Sequence, residues 1–247
     1  MRADAALTVL ATPDGRSVLS VQRSRPPLTL RRTRAAGPGA RVCLVGSAGG
    51  PLGGDELSLA LEVGPGAALH LRSTSAQLVQ PDLDGRAASV RMSATVGAGA
   101  TLEVGLEPTV LAAGCLLHAS TEVELAADAT LCWRETTVLG RHAEPAGRAV
   151  QRWRVRRAGR PLLRTTTTLL DPAGYRSPAL LGQARVLTTV LVAAPGLAPP
   201  ERVLSGGRGA VHVLPEAALV SVLAADTVAA AAGLAELTEG WLDKLSG

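Results

Sequence analysis

Two acidic residues lie where the sequence could place a carboxylate for binding or catalysis. Asp55 follows a glycine cluster, GGPLGGD over residues 49–55, in which the backbone can take conformations closed to other residues. Glu135 lies inside the strand-like run LCWRETTVLG over residues 131–140. Each acid also has a structural alternative, either as a turn carboxylate or as a strand-edge acid paired with an arginine.

The other reactive side chains match no common catalytic or metal-binding signature. The sequence contains no G-x-S-x-G elbow, P-loop or H-E-x-x-H motif. The glycine-rich run at residues 205–209 precedes a strand pattern rather than a helix, which disfavours a phosphate site. We therefore expect free thiols and neither a catalytic centre nor a tightly bound cofactor. Histidines and cysteines occur singly, without metal-ligand spacing, at His70, His118, His142, His212, Cys43, Cys115 and Cys132.

A recurring turn predicts how the chain positions the two acids. Leu57, Leu59 and Leu61 alternate with polar or small residues, which is the period of a half-buried strand. A turn follows that run, built from a small residue, a residue tolerated in the left-handed conformation and an alanine. The same turn recurs about every thirty residues, at 38–40, 65–67, 98–100 and 127–129. The repeat predicts successive hairpin-like β layers, although such turns could also recur by chance in a chain rich in alanine and glycine.

The composition and the order of the patterns predict the fold class. The chain has 247 residues, of which 47% are hydrophobic and only 2% aromatic, so valine, leucine and alanine must build the core. We predict a mainly β protein of stacked layers, solenoid-like or sandwich-like, over residues 1–175. Residues 176–247 are predicted to pack on the same body as a smaller region of strands and one helix. These elements are expected at 184–193, 209–214, 217–224 and about 227–245, with Asp226 as the helix N-cap.

The charge distribution limits the classes of partner. The net charge is only +4, and few aromatic residues accompany the arginines, which argues against a nucleic-acid-binding protein. The densest basic run extends from Arg148 to Arg164, and Arg152, Arg154 and Arg156 alternate within it so that they share one strand face. A solvated face and a patch that meets an acidic partner both remain open. No apolar run is long enough to span a bilayer and the N-terminal pattern is not that of a signal peptide, so we expect a cytoplasmic protein.

Several of these motifs together resemble the UreD (also called UreH) family of urease accessory proteins, in its short actinobacterial form. The resemblance rests on GGPLGGDELSLALEVGPGA, on LRSTSAQLV, and on LCWRETTVLGR followed by HAEPAG. It extends through most of residues 16–170 and again over 201–237. It implies a β-rich accessory protein that is not an enzyme. Asp55 matches the family's acid after the double glycine, and Glu135 matches the acid before Leu139-Gly140-Arg141.

The resemblance also implies partners and a cargo. UreD-type proteins are expected to bind apo-urease and UreF, which recruits the GTPase UreG, and to help pass nickel to the urease active site. Asp55 and Glu135 would then line or gate a transient nickel path. Widely spaced carboxylates suit transit, because a cage of histidine and cysteine would retain Ni²⁺.

Two other functional classes remain open at this point. A β-solenoid can carry an enzyme, such as a transferase or a polysaccharide lyase, if catalytic side chains cluster on one face. A β-repeat protein can also be purely structural, without any association with urease or its accessory proteins.

Overall fold

The computed structural model describes residues 1–35 and 37–242. Their alternating apolar pattern forms eighteen strands, accompanied by two short helices, as the mainly β prediction requires. Neither of the two described helices is long and apolar enough to cross a bilayer. The strands are β1 Arg2–Ala11, β2 Ser17–Arg23, β3 Leu28–Thr33, β4 Ala40–Gly46, β5 Glu56–Val63, β6 Ala68–Ser73, β7 Gln77–Val79, β8 Ala88–Val96, β9 Thr101–Gly105, β10 Thr109–Leu111, β11 Leu116–Leu125, β12 Thr130–Leu139, β13 Arg148–Arg157, β14 Arg160–Leu169, β15 Val186–Ala193, β16 Arg202–Val203, β17 Gly209–Leu214 and β18 Ala217–Ala224. The helices are α1 Pro172–Tyr175 and α2 Thr227–Thr238.

These strands form two sheets that pack face to face. Sheet A has seven strands in the order β14-β13-β11-β8-β5-β1-β2. Sheet B has eleven strands, nine of them in the order β16-β17-β18-β15-β12-β9-β6-β4-β3. The other two are β7 and β10, which pair with each other, and β10 also pairs with β12. The central strands of each sheet are parallel to one another, for example β5 with β8 and β6 with β9. The stacked-layer prediction is therefore confirmed.

Each layer contributes one strand to each sheet, which differs from the hairpin-like layers predicted from the sequence. Three of the four recurring turns join β5 to β6, β8 to β9 and β11 to β12, and their flanking strands belong to opposite sheets. The turn at 38–40 instead lies between β3 and β4, which pair as an antiparallel hairpin in sheet B. Each strand pairs with the equivalent strands of the layers above and below. Alternation along a strand reports its period but not its partner, so the sequence could not show which strands pair.

The stacked turns show why alanine recurs in them. Ala67, Ala100 and Ala129 are all buried at the junction of the two sheets, where a larger side chain would meet the core. Hydrogen bonds connect successive turns, since Thr101 N donates to Ala67 O and Thr130 N to Ala100 O, each at 2.9 Å. The left-handed conformation that the middle residue tolerates occurs at Gly66 and Gly99, with φ of +67° and +61°, but not at Gly39 or Asp128.

The C-terminal part of the chain extends sheet B and covers its outer face. The strand predicted at 184–193 is β15, and those predicted at 209–214 and 217–224 coincide with β17 and β18. Helix α2 packs on these strands through Ala230, Leu237 and the adjoining Trp241. The proposed division of the chain at residue 175 stays a prediction.

Helix α2 begins as predicted and ends earlier. Asp226 is its N-cap and accepts a hydrogen bond from Ala229 N at 2.8 Å. The helix ends at Thr238, because Glu239 takes an extended conformation and Gly240 has a φ of +78°. The sequence prediction ran to residue 245, of which residues 243–247 lie outside the described part of the chain.

Candidate functional site

A layer of polar side chains crosses the space between the two sheets. On one side it borders the main core, which contains Trp133 and Trp153. On the other it borders a smaller core that contains Leu117, Leu139 and Ala149. Cross-strand pairing aligns the polar residues, as with Glu135 opposite Thr189 and Thr189 opposite Ser221. We call this the polar layer, formed by Thr121, Glu135, Thr137, Gln151, Thr165, Thr167, Thr189 and Ser221.

Glu135 is the single carboxylate of the polar layer, and three neutral donors bind it. Its Oε1 accepts from Thr121 Oγ1 at 2.6 Å and from Trp133 Nε1 at 3.2 Å. Its Oε2 accepts from Trp153 Nε1 at 2.8 Å. Among the described residues, no cationic side chain forms a salt bridge with it. The arginine-paired alternative weighed from the sequence therefore does not describe this acid.

The environment of Glu135 disfavours its charged form. Burial in the layer raises the pKa of Glu135 above the ordinary value, and the three hydrogen bonds offset only part of that effect. A buried carboxylate with neutral donors and no counter-charge is costly to keep ionised. The site is therefore suited to receive positive charge, as either a proton or a cation.

Two partly open cavities meet at the polar layer. The larger has a volume of about 170 Å³ and extends between the sheets toward Ser75, Gln77 and Glu107. The smaller, of about 120 Å³, has both apolar and hydroxyl side chains in its lining, the latter including those of Thr165, Thr167, Thr189 and Ser221. Glu135, Thr137 and Gln151 line both cavities. Glu135 consequently keeps intermediate solvent exposure although it lies between the sheets.

Asp55 occupies a different environment from Glu135. It is 5% exposed, and its Oδ2 accepts from Leu52 N at 2.9 Å. Its Oδ1 lies 2.6 Å from the amino group of Met1. It is not among the residues that line the two cavities. Asp55 therefore lies in the turn that precedes β5, and its ion pair with Met1 links the start of β5 to the start of β1. The structure does not bring Asp55 together with Glu135.

The Leu-Gly-Arg segment after Glu135 has a structural explanation. Gly140 has a φ of +78°, and a Cβ there would lie 2.6 Å from Glu144 O. Glu144 in turn accepts from Ala113 N and from the guanidinium of Arg141. Arg185, which lies directly before β15, donates to Arg141 O at 2.6 Å. The motif thus closes a tight loop at the end of β12.

Another titratable cluster lies on the outer face of sheet B. His70 Nδ1 is 2.7 Å from Glu103 Oε2, and Arg72 pairs with the other oxygen. The hydrogen bond with His70, followed by Arg72, lowers the pKa of Glu103 to about 2. Across residues 1–35 and 37–242, no group of three or more histidine, cysteine or acidic side chains is arranged to hold a metal ion.

Sequence reasoning found Glu135 but not the residues that surround it. Trp133, Trp153 and Thr121 come from β12, β13 and β11, and both sheets contribute to the set. One signal was available, since two of only three tryptophans in the chain lie on the predicted strand of the acid and on the next predicted strand along the sequence.

The fold and the site define a stacked-β protein with a polar layer between its two sheets. Comparison with known proteins narrows this class. The model of the UreD urease accessory protein family matches residues 1–247. The chain belongs to the UreD family of urease accessory proteins. This membership assigns it to urease maturation as an accessory protein and not as an enzyme, as the sequence resemblance predicted.

Curated relatives from actinobacteria are similar over nearly their whole length. Urease accessory protein UreD 1 of Saccharopolyspora erythraea is 40% identical, over 96% of this chain and 94% of the relative. Urease accessory protein UreD of Streptomyces coelicolor is 38% identical, over 91% of each chain. Urease accessory protein UreD of Frankia alni is 37% identical, over 92% of this chain and 89% of the relative.

Proposed function

We propose that this chain is a cytoplasmic scaffold that binds apo-urease and UreF, and through UreF the GTPase UreG, and helps deliver nickel to the urease active site. It holds no resident cofactor, and Ni²⁺ is its cargo. Membership of the UreD family supports the role in urease maturation. Within the molecule, the supporting observation is Glu135, an acid between the sheets that two cavities share.

The bonding of Glu135 suits brief contact with a cation. An ionised carboxylate has about four lone-pair positions, and protein donors occupy three of them here. One position stays available for a single bond to an ion or to its hydration water. Oxygen ligands hold a borderline ion such as Ni²⁺ less tightly than nitrogen and sulfur ligands do. Contact of this kind favours release over storage.

The charge of the polar layer supports the same role. Its other members are hydroxyl and amide groups, which can bind the hydration shell of an ion without adding charge. An arriving divalent cation supplies the positive charge that Glu135 lacks. The free energy cost of ionising this buried acid then falls as the ion enters, so the cation and the proton compete for one carboxylate.

The first test replaces Glu135 in cells that also produce urease and its other accessory proteins. We expect E135A and E135Q to lower urease activation severalfold while the complex with UreF still forms. The matched control is E62Q, which removes an exposed acid of sheet A that lines neither cavity. Urease activity reports activation, and co-purification reports the complex. Full activation by both Glu135 variants would remove this residue from the nickel path.

Asp55 as a second nickel-path residue stays a prediction, and D55A tests it. Loss of the hydrogen bond from Leu52 N and of the ion pair with the Met1 amino group is expected to cost about 1.5–3 kcal/mol of folding free energy. Urease activation is therefore compared at equal amounts of folded protein, measured by thermal unfolding. A defect that persists after this correction, with the UreF complex intact, places Asp55 on the path, whereas normal activation excludes it.

A further inference from the structure

The outer face of sheet A carries a cluster of arginines that the nickel path does not use. Arg152, Arg154 and Arg156 alternate along β13 with the inward-facing Trp153 and Val155. Cross-strand pairing sets Arg164 of β14 directly opposite Arg154, on the same face. All four side chains are exposed. We call this set of four arginines the arginine face.

Only part of this positive charge is neutralised within the chain. Arg154 pairs with Glu122 at 3.6 Å, and Arg156 pairs with Glu124 at 3.3 Å. Among the described residues, neither Arg152 nor Arg164 has a carboxylate within salt-bridge distance. Like charges directly opposite each other across two strands are destabilising. Within the chain, Glu122 offsets this repulsion only on the Arg154 side, so the position beside Arg164 favours an external anion.

The surroundings leave this face open to a partner. Helix α2 covers part of the outer face of sheet B, whereas the strands that carry the arginine face alternate between buried and exposed residues. Strand β14 is an edge strand of sheet A, so the face reaches an open edge of the sheet. An extended segment could therefore cross it without displacing any described element.

The chemistry of the face distinguishes between two kinds of anionic partner. Glu122 and Glu124 lie in register with the arginines and would repel the closely spaced phosphates of a nucleic acid. The aromatic side chain of this strand, Trp153, is buried and points inward, so it offers no surface for stacking bases. An acidic polypeptide, whose carboxylates can be spaced to match the unpaired arginines, fits the face better.

We infer that the arginine face is the docking surface for an acidic polypeptide segment of a partner protein. The carboxylates of that segment pair with Arg152 and Arg164 and relieve the repulsion between Arg154 and Arg164. This contact is separate from nickel transit, because none of the four arginines lines either cavity. Loss of the contact therefore leaves the polar layer intact.

The test measures binding of poly-L-glutamate to the full chain by isothermal titration calorimetry. The variant R152E/R154E/R164E reverses three charges of the face. The matched control, R31E/R32E/R34E, reverses three exposed arginines on and beside β3, at an edge of sheet B. Both variants change the net charge equally, and far-UV circular dichroism establishes that each is folded. Single-stranded DNA of equal charge serves as the second probe.

We expect the face variant to lose at least about tenfold in affinity for poly-L-glutamate, equivalent to about 1.4 kcal/mol, while the control changes little. Binding to the wild type should also weaken steeply as salt is raised, because exposed charges are screened. The inference is overturned by equal losses in the two variants, by no binding to the wild type, or by tighter binding of DNA through the same arginines. None of these outcomes bears on nickel delivery, which the Glu135 variants test separately.

Discussion

Glu135 and Glu103 are both partly buried carboxylates, yet their surroundings move their pKa values in opposite directions. Glu135 has only neutral donors, and its desolvation raises the pKa. Glu103 is held by His70 and Arg72, and its pKa falls to about 2. At the scale of single residues, the hydrogen-bond and ion-pair partners of a partly buried acid thus decide whether the folded state favours its charged or its neutral form.

The raised pKa of Glu135 predicts a pH dependence of stability. A raised folded-state pKa means that Glu135 contributes stability below its ordinary pKa of 4.5 and loses that contribution as pH rises through the folded value. The wild type should therefore lose stability relative to E135Q as pH is raised from about 4 to about 8. Urea unfolding of both proteins at several pH values measures the difference. A constant difference would show that Glu135 is not perturbed.

Glu103 predicts the opposite dependence. Because its folded-state pKa is depressed, its contribution is present above the ordinary value of 4.5 and is lost as pH falls toward about 2. We expect E103Q to be less stable than the wild type at pH 7 and to approach it in acid, as measured by thermal unfolding. A destabilisation that does not change with pH would indicate a packing defect instead.

The sequence identifies these acids but not their environments. Glu135 could be recognised because it interrupts an apolar strand pattern before a Leu-Gly-Arg turn. Its donors Thr121 and Trp153 lie on sheet A while Glu135 itself lies on sheet B, and no local pattern reports such a contact between sheets. For Asp55 the sequence left open a site acid and a turn carboxylate, and the structure buries the residue in a turn.

At the scale of elements, two glycines with similar backbone angles are expected to respond differently to alanine. Gly66 and Gly140 have φ of +67° and +78°. A Cβ at Gly66 would meet only Ala11, at 3.9 Å, whereas one at Gly140 would lie 2.6 Å from Glu144 O. We expect G66A to cost about 1 kcal/mol from backbone strain alone, and G140A to cost clearly more. Chemical denaturation of the two variants measures both losses.

Similar losses in G66A and G140A would mean that the loop after β12 relaxes around the new methyl group.

The positions of these turns could be predicted, since glycine, proline and alanine mark them in the sequence. The parallel pairing between layers could not, because it depends on contacts between residues about thirty positions apart. The early end of α2 was also missed, because the apolar spacing continues past Thr238.

At the scale of the molecule, most stabilisation should come from the core between the sheets. Leu102 is fully buried there, and L102A should cost about 2–5 kcal/mol of unfolding free energy. The matched control is L83A, because Leu83 is fully exposed and its truncation should change stability by no more than about 0.5 kcal/mol. Thermal and urea unfolding measure both. Equal effects would contradict the assignment of the core.

The placement of the tryptophans has a practical consequence. Of the three indoles in the chain, two donate to Glu135, while Trp241 donates to Leu237 O at 2.8 Å. The chain has one tyrosine and no phenylalanine, so its ultraviolet emission arises mainly from these three rings. A W241F protein would emit almost entirely from the two rings that touch the candidate site. Its intrinsic fluorescence would then report proton uptake or Ni²⁺ arrival at Glu135 in real time, without an added dye.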